Sequence, residues 1–139
     1  MFDNVAKNTL APLILRLALA AIFIYHGQAL ANKDTDWGAK WMPPEMKQPP
    51  AVQMAVAWGQ LVGGVAMAVG FLTRLAALGL IAIMGGAIAL VHWEHGFDIQ
   101  KHGYEYNVAI IAMCLVLVLT GPGRVALDHV FFRRRTPVG

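Results

Sequence analysis

Residues 89–106 read ALVHWEHGFDIQKHGYEY, and they hold His92, Glu94, His95, Asp98, Lys101, His102 and Glu105 directly after a long uncharged stretch. His92 and His95 are three apart, so on a helix they share a face. Imidazole takes up and releases a proton near neutral pH, and a partly buried carboxylate can be brought into the same range. Two chemistries suit this set. In the first, the group meets the ring of a quinone: Glu105 and His26 exchange protons with it, and His92 and His95 hydrogen-bond its carbonyl. Gln60 can reach the same level, and Trp58, Trp93, Tyr25 and Tyr104 supply flat apolar walls. In the second, His92, His95 and His102 are candidate ligands for zinc or copper, which imidazole suits, with a carboxylate completing the set. The bland reading is that polar and aromatic side chains crowd helix ends at a lipid–water boundary without further purpose.

Both chemistries need helices to bring distant residues together. Of 139 residues, 58% are hydrophobic and only 14% are charged, with mean hydropathy +0.55. A soluble domain carries about a quarter of its residues charged. Lipid rather than water must cover much of this chain, as one domain. Four apolar runs, at about residues 10–31, 51–72, 75–95 and 105–120, approach or reach the roughly 20 residues that a bilayer crossing takes. Lipid offers backbone amides no partner, so these runs predict helices, and none alternates as a barrel strand would. The expectation is an all-α, four-helix membrane bundle. The first run, with Lys7 and Arg16 ahead of LALAAIFIY and Ala29-Leu30-Ala31, also fits a signal peptide; a retained helix is the expectation.

Four spans put both termini on one side, with Lys7, Arg74, Arg124 and Arg133 to Arg135. The other side holds Lys33, Lys40, Lys47 and Lys101, diluted by acids. The positive-inside rule then predicts cytoplasmic termini in a bacterial inner membrane. On that topology His26, His92, His95 and Glu105 all arrive at the outer mouth. The connector Asn32 to Pro50, with four prolines plus Trp37, Trp41 and Met42, predicts a lid lying over the bundle there. The ending FFRRRTPVG predicts a short amphipathic segment on an anionic leaflet. Nucleic acid is a poor partner for so small a basic cluster beside an anchor; lipid, further membrane subunits or a second copy are the expected partners.

Arg16 lies ten residues before His26, about 15 Å along a helix, and the expected role is a structural ion pair with Asp128. Gly59-x-x-x-Gly63 is a close-packing signal. Cys114, the single cysteine, is expected to be an inert hydrophobe. No cysteine spacing suits covalent haem or an iron–sulfur cluster.

The segments LRLALAAIFIYHGQAL, GQLVGGVAMAVGFLTRLAAL, GYEY and TGPGRVALD together resemble the DoxX family of small membrane proteins over about residues 10–130. The resemblance implies a four-helix bundle and a relation to the membrane subunit of thiosulfate:quinone oxidoreductase. Arg16, His26, Arg74, Gly103, Glu105, Gly121, Gly123 and Asp128 fall at family-like places. The departure is Gln60, where relatives commonly have glutamate, so one proton acceptor is missing. Three functions remain open: a quinone-interacting subunit of a respiratory or sulfur-oxidising system, a non-catalytic accessory subunit of a larger redox complex, and a metal-binding protein of the outer face.

Overall fold

The computed structural model describes residues 2–31 and 48–132. The predicted lid falls almost wholly, and the arginine triplet wholly, outside these residues. The described residues are helical, without strands: α1 (Phe2–Val5), α2 (Ala11–Ala31), α3 (Pro50–Val69), α4 (Thr73–Ala87), α5 (Glu105–Thr120) and α6 (Asp128–Phe131). A π-helical stretch, Ala6–Leu10, joins α1 to α2 without a break in the helical path. Its cause is Pro12, which has no amide proton and crowds the carbonyl four residues back. That freed carbonyl, Asn8, accepts instead from the Arg124 amide at 3.0 Å.

Proline and glycine set the helix limits elsewhere. Pro50 opens α3 at the position where a missing N–H costs nothing. Gly70 closes it in the left-handed region, φ +69°, with its amide on Ala66 O. Beyond α4 the chain continues as a π turn, Ile88–His92, and a 3-10 turn, Trp93–His95.

The helices pack in sequence order, α2 on α3, α3 on α4 and α4 on α5, and α5 also touches α2. Leu19, Phe23, Met67, Leu80, Ile110, Cys114 and Leu117 fill the space between them, so Cys114 lies in the core. Small residues set the spacing: a Cβ at Gly27 would lie 2.5 Å from Leu61 N, and one at Gly64 would lie 2.8 Å from Ile24 N. Gly59 and Gly63 receive Ile83 and Leu80 of α4, so the predicted glycine motif acts by admitting side chains rather than another backbone.

Three helical segments are long and apolar enough to cross a membrane: Asp3–Ala31, Pro50–Val69 and Thr73–His95; α5 is apolar but shorter, 16 residues. Every long helix turns apolar side chains outward, with Ile14, Val62, Leu75 and Leu119 more than 60% exposed. Apolar faces of this extent need a non-aqueous cover, and with the hydropathy of the helices they describe a membrane protein.

Candidate functional site

Where α2 ends and α3 begins, the four long helices part around a cleft of about 820 Å³. Its walls are mostly aliphatic: Ile22, Leu30, Val52, Val56, Ile83 and Leu90, with Gly86 and Ala87 keeping one side low. Into this lining come His26 from α2, Gln60 from α3, His92 from the π turn beyond α4, His102 from the following loop, and Tyr106 and Asn107 from α5. A mainly apolar hollow with a few converging polar groups is the usual form of a small-molecule site.

Four predicted residues therefore meet here: His26, Gln60, His92 and His102. Their hydrogen bonding is incomplete. His92 places Nδ1 2.6 Å from the carbonyl oxygen of His102. Among the described residues the only side-chain hydrogen bond of Asn107, which is 4% exposed, is a long donation from Nδ2 to the Met84 sulfur, 3.5 Å. His26 and Gln60 make none among the described residues; the ring of His26 stands edge-on to Tyr25 at 5.4 Å.

The other predicted residues lie outside the cleft lining. Glu105 is exposed, and its Oε2 accepts the Ile99 amide at 3.2 Å, tying down the loop that precedes α5. A carboxylate at the first position of α5 reaches back to that loop, so the structure places Glu105 on the loop rather than in the cleft lining. His95 turns Nδ1 toward Val91 O, 3.1 Å away, and meets His102 only edge to face, 6.3 Å between centroids. Trp93 stacks on Tyr104 at 5.8 Å, and Phe97 packs edge-on against the same Tyr104. This trio sits beside the cleft rather than walling it. Trp58 also faces outward, half exposed. Among the described residues no three His, Cys, Asp or Glu side chains gather as metal ligands, so His92, His95 and His102 do not form the cluster that the metal reading requires.

Asn107 and Tyr106 were not singled out by sequence reasoning. The usable signal was an amide two residues into an otherwise apolar helix, where a polar group without a partner is costly.

At the opposite end of the helices Arg16 and Asp128 spend most of their hydrogen-bonding capacity, while the buried Thr73 hydroxyl has no partner among the described residues. Arg16, 2% exposed, donates from Nε to Met67 O (2.9 Å), from Nη1 to Pro122 O (3.0 Å) and Val125 O (2.6 Å), and from Nη2 to Ala68 O (3.1 Å). Asp128 accepts from Leu72 N (2.6 Å) and Thr73 N (2.9 Å), capping α4. The two residues stay near enough for their charges to interact but form no direct ion pair. The predicted pairing is corrected: the α3–α4 turn and the TGPGRVALD turn offer backbone groups that suit each side chain better than the other's charge.

A model of the family described as DoxX matches residues 11–93. The chain belongs to the DoxX family. The matched segment contains Arg16, His26, Gln60 and His92; Glu105, Asn107 and Asp128 lie beyond it. An uncharacterized protein of Haemophilus influenzae is 29% identical to this DoxX chain over 121 residues, 84% of the chain and 80% of the relative. No solved structure matches.

Proposed function

We propose that this DoxX protein is a quinone-interacting subunit of a respiratory or sulfur-oxidising redox system, with the cleft receiving the quinone ring. The observation that carries the reading is the convergence of His26, Gln60, His92 and Asn107, each with bonding capacity to spare, in one apolar cleft. A quinone needs an apolar slot, donors for its carbonyls, and groups that pass protons as it changes redox state. His26 and His92 serve proton exchange; Gln60 and Asn107 orient the ring. No cysteine spacing for a cluster or attached haem exists, so electrons come from a partner subunit or from direct contact with the donor.

On this reading the protein lies in the bacterial cytoplasmic membrane with four crossings and both termini inside, an orientation that the cation distribution supports. The 16 residues of α5 reach about 24 Å at 1.5 Å per residue, short of the roughly 30 Å hydrocarbon core. The bilayer thins, or flanking residues reach to the head groups, to meet it.

The test is native isolation of the protein in mild detergent, followed by extraction and identification of bound small molecules. Quinone is expected with the unaltered protein and is depleted in Gln60→Leu and Asn107→Leu. Protein that carries ordinary phospholipid alone would overturn the reading. A second reading, a non-catalytic accessory subunit, is favoured by Glu105, whose carboxylate holds a loop rather than facing the cleft. It predicts association with other membrane subunits that is indifferent to those substitutions.

A further inference from the structure

A carbonyl oxygen only accepts hydrogen bonds, so the 2.6 Å contact between His92 Nδ1 and His102 O requires the proton on Nδ1. A neutral imidazole has one such proton, which leaves Nε2 bare. His92 lines the cleft, and Nε2 has no partner among the described residues.

We propose that His92 meets the cleft's ligand as a hydrogen-bond acceptor, fixed in that role by the His102 carbonyl, so that the cleft favours the hydroxyl-bearing, reduced form of a ring over its carbonyl form. This rests on the ring-binding reading above and assigns it a preferred redox state. A quinol hydroxyl donates to a bare Nε2. A quinone carbonyl at the same place sets two acceptors against each other, and only protonation of His92 relieves them.

The loop is built to hold that carbonyl. Lys101 N and Gly103 N both donate to Asp98 O, His102 N donates to Ile99 O, Tyr104 N to Gly96 O and Glu105 N to Phe97 O. The carboxylates add two clamps, Asp98 Oδ1 on Gln100 N and Glu105 Oε2 on Ile99 N. His102 itself sits in the left-handed region, φ +62°, which an L residue adopts only when its surroundings impose it. A Cβ at Gly103 would lie 2.6 Å from Asp98 O, so the loop closes this tightly only with glycine there. Glu105 is on this account a positioning residue that acts through the loop.

The experiment uses the full chain in lipid nanodiscs, in mildly alkaline buffer where imidazole is uncharged. Binding of a short-chain benzoquinone is compared with that of its hydroquinone under anaerobic conditions. Hydroquinone is expected to bind about tenfold tighter, the worth of one good hydrogen bond against a frustrated one, and His92→Phe is expected to abolish the preference. In parallel, 15N spectra of histidine-labelled, ligand-free protein are expected to show a bare Nε2 and a protonated Nδ1 for His92. Equal affinity, tighter binding of the quinone, or a proton on Nε2 would overturn the inference while leaving ring binding intact. Failure of both forms to bind would remove the ring-binding reading, and this inference with it. Should His92→Phe not fold, the affinity ratio and the spectrum of the unaltered chain decide the matter.

Discussion

Arg16 and Asp128 at one end of the helices and the cleft residues at the other use their polar groups in opposite ways. At the Arg16 end, four of the five guanidinium protons are spent on carbonyls of two turns, and both carboxylate oxygens of Asp128 hold amides. At the cleft end, among the described residues, the side chains of His26 and Gln60 make no hydrogen bond, His92 uses one ring nitrogen, and Asn107 leans on a sulfur. Ionisable or amide groups at membrane depth are costly in either place. Where every donor and acceptor is satisfied within the fold, the residue is holding structure together. Where capacity is left over among apolar walls, the residue is available to a ligand. Residue type does not separate the two cases; satisfaction does.

The largest expected effect comes from breaking the spent end. Arg16→Leu leaves the carbonyls of Met67, Ala68, Pro122 and Val125 without their shared donor, and the turns they belong to lose their anchor. Each buried carbonyl left without its donor costs about 1–3 kcal/mol, and several are left at once. Loss of detergent-stable protein is the expected result, read by thermal unfolding or by expression level. Arg16→Lys is expected to be nearly as damaging, because one ammonium cannot span carbonyls from two turns. Stability within 1 kcal/mol of the unaltered protein in either variant would erase the contrast between the ends. Asp128→Ala tests the same end more gently. It uncaps α4, whose first amides have no other acceptor, and a lost cap costs about 1–2 kcal/mol.

Breaking the other end should leave stability alone. Gly86 lines the cleft, and a Cβ there meets nothing within 4 Å. Gly86→Leu therefore fills cleft volume without displacing backbone, and a better helix former replaces glycine, worth up to about 1 kcal/mol. Unchanged or slightly raised thermal stability is expected together with at least a tenfold loss of ring binding. Unimpaired ring binding in Gly86→Leu would show that the ligand sits elsewhere.

The sequence made three of the four expected spans legible because a run of uncharged residues has few alternatives, and the fourth forms an apolar helix of only 16 residues. It showed His26, Gln60 and His92 as polar residues with no reason to face lipid, and the structure gathers all three. Their neighbour Asn107 stayed hidden behind Glu105, since a charge at a helix start draws attention that an amide two residues in does not. The Arg16–Asp128 pairing was placed at the right end with the wrong partners. Backbone carbonyls have no signature in a sequence, so charged groups suggest each other by default. The π turn that ends at His92 is likewise invisible in residue types, because no residue type in Ile88–His92 marks it.

The aromatic residues show the same limit, and they support the smallest prediction. Trp93 follows the histidine that lines the cleft, and its type suited a wall for a flat ring. One residue along a helix is about 100° of rotation, enough to carry it from the cleft to the outside, where it stacks on Tyr104 and is two-thirds exposed. An indole at the end of a membrane helix settles at the head-group level, with its ring in the apolar zone and its N–H toward water. Trp93→Ala should therefore shift ring affinity by less than about twofold, since a substitution away from the binding groups carries little energy, while weakening the anchoring of this helix end in the bilayer. A larger change measured by titration in nanodiscs would mean that the aromatic stack supports the loop carrying His102, and that the boundary between spent and available groups runs through the Trp93–Tyr104 contact rather than inside it.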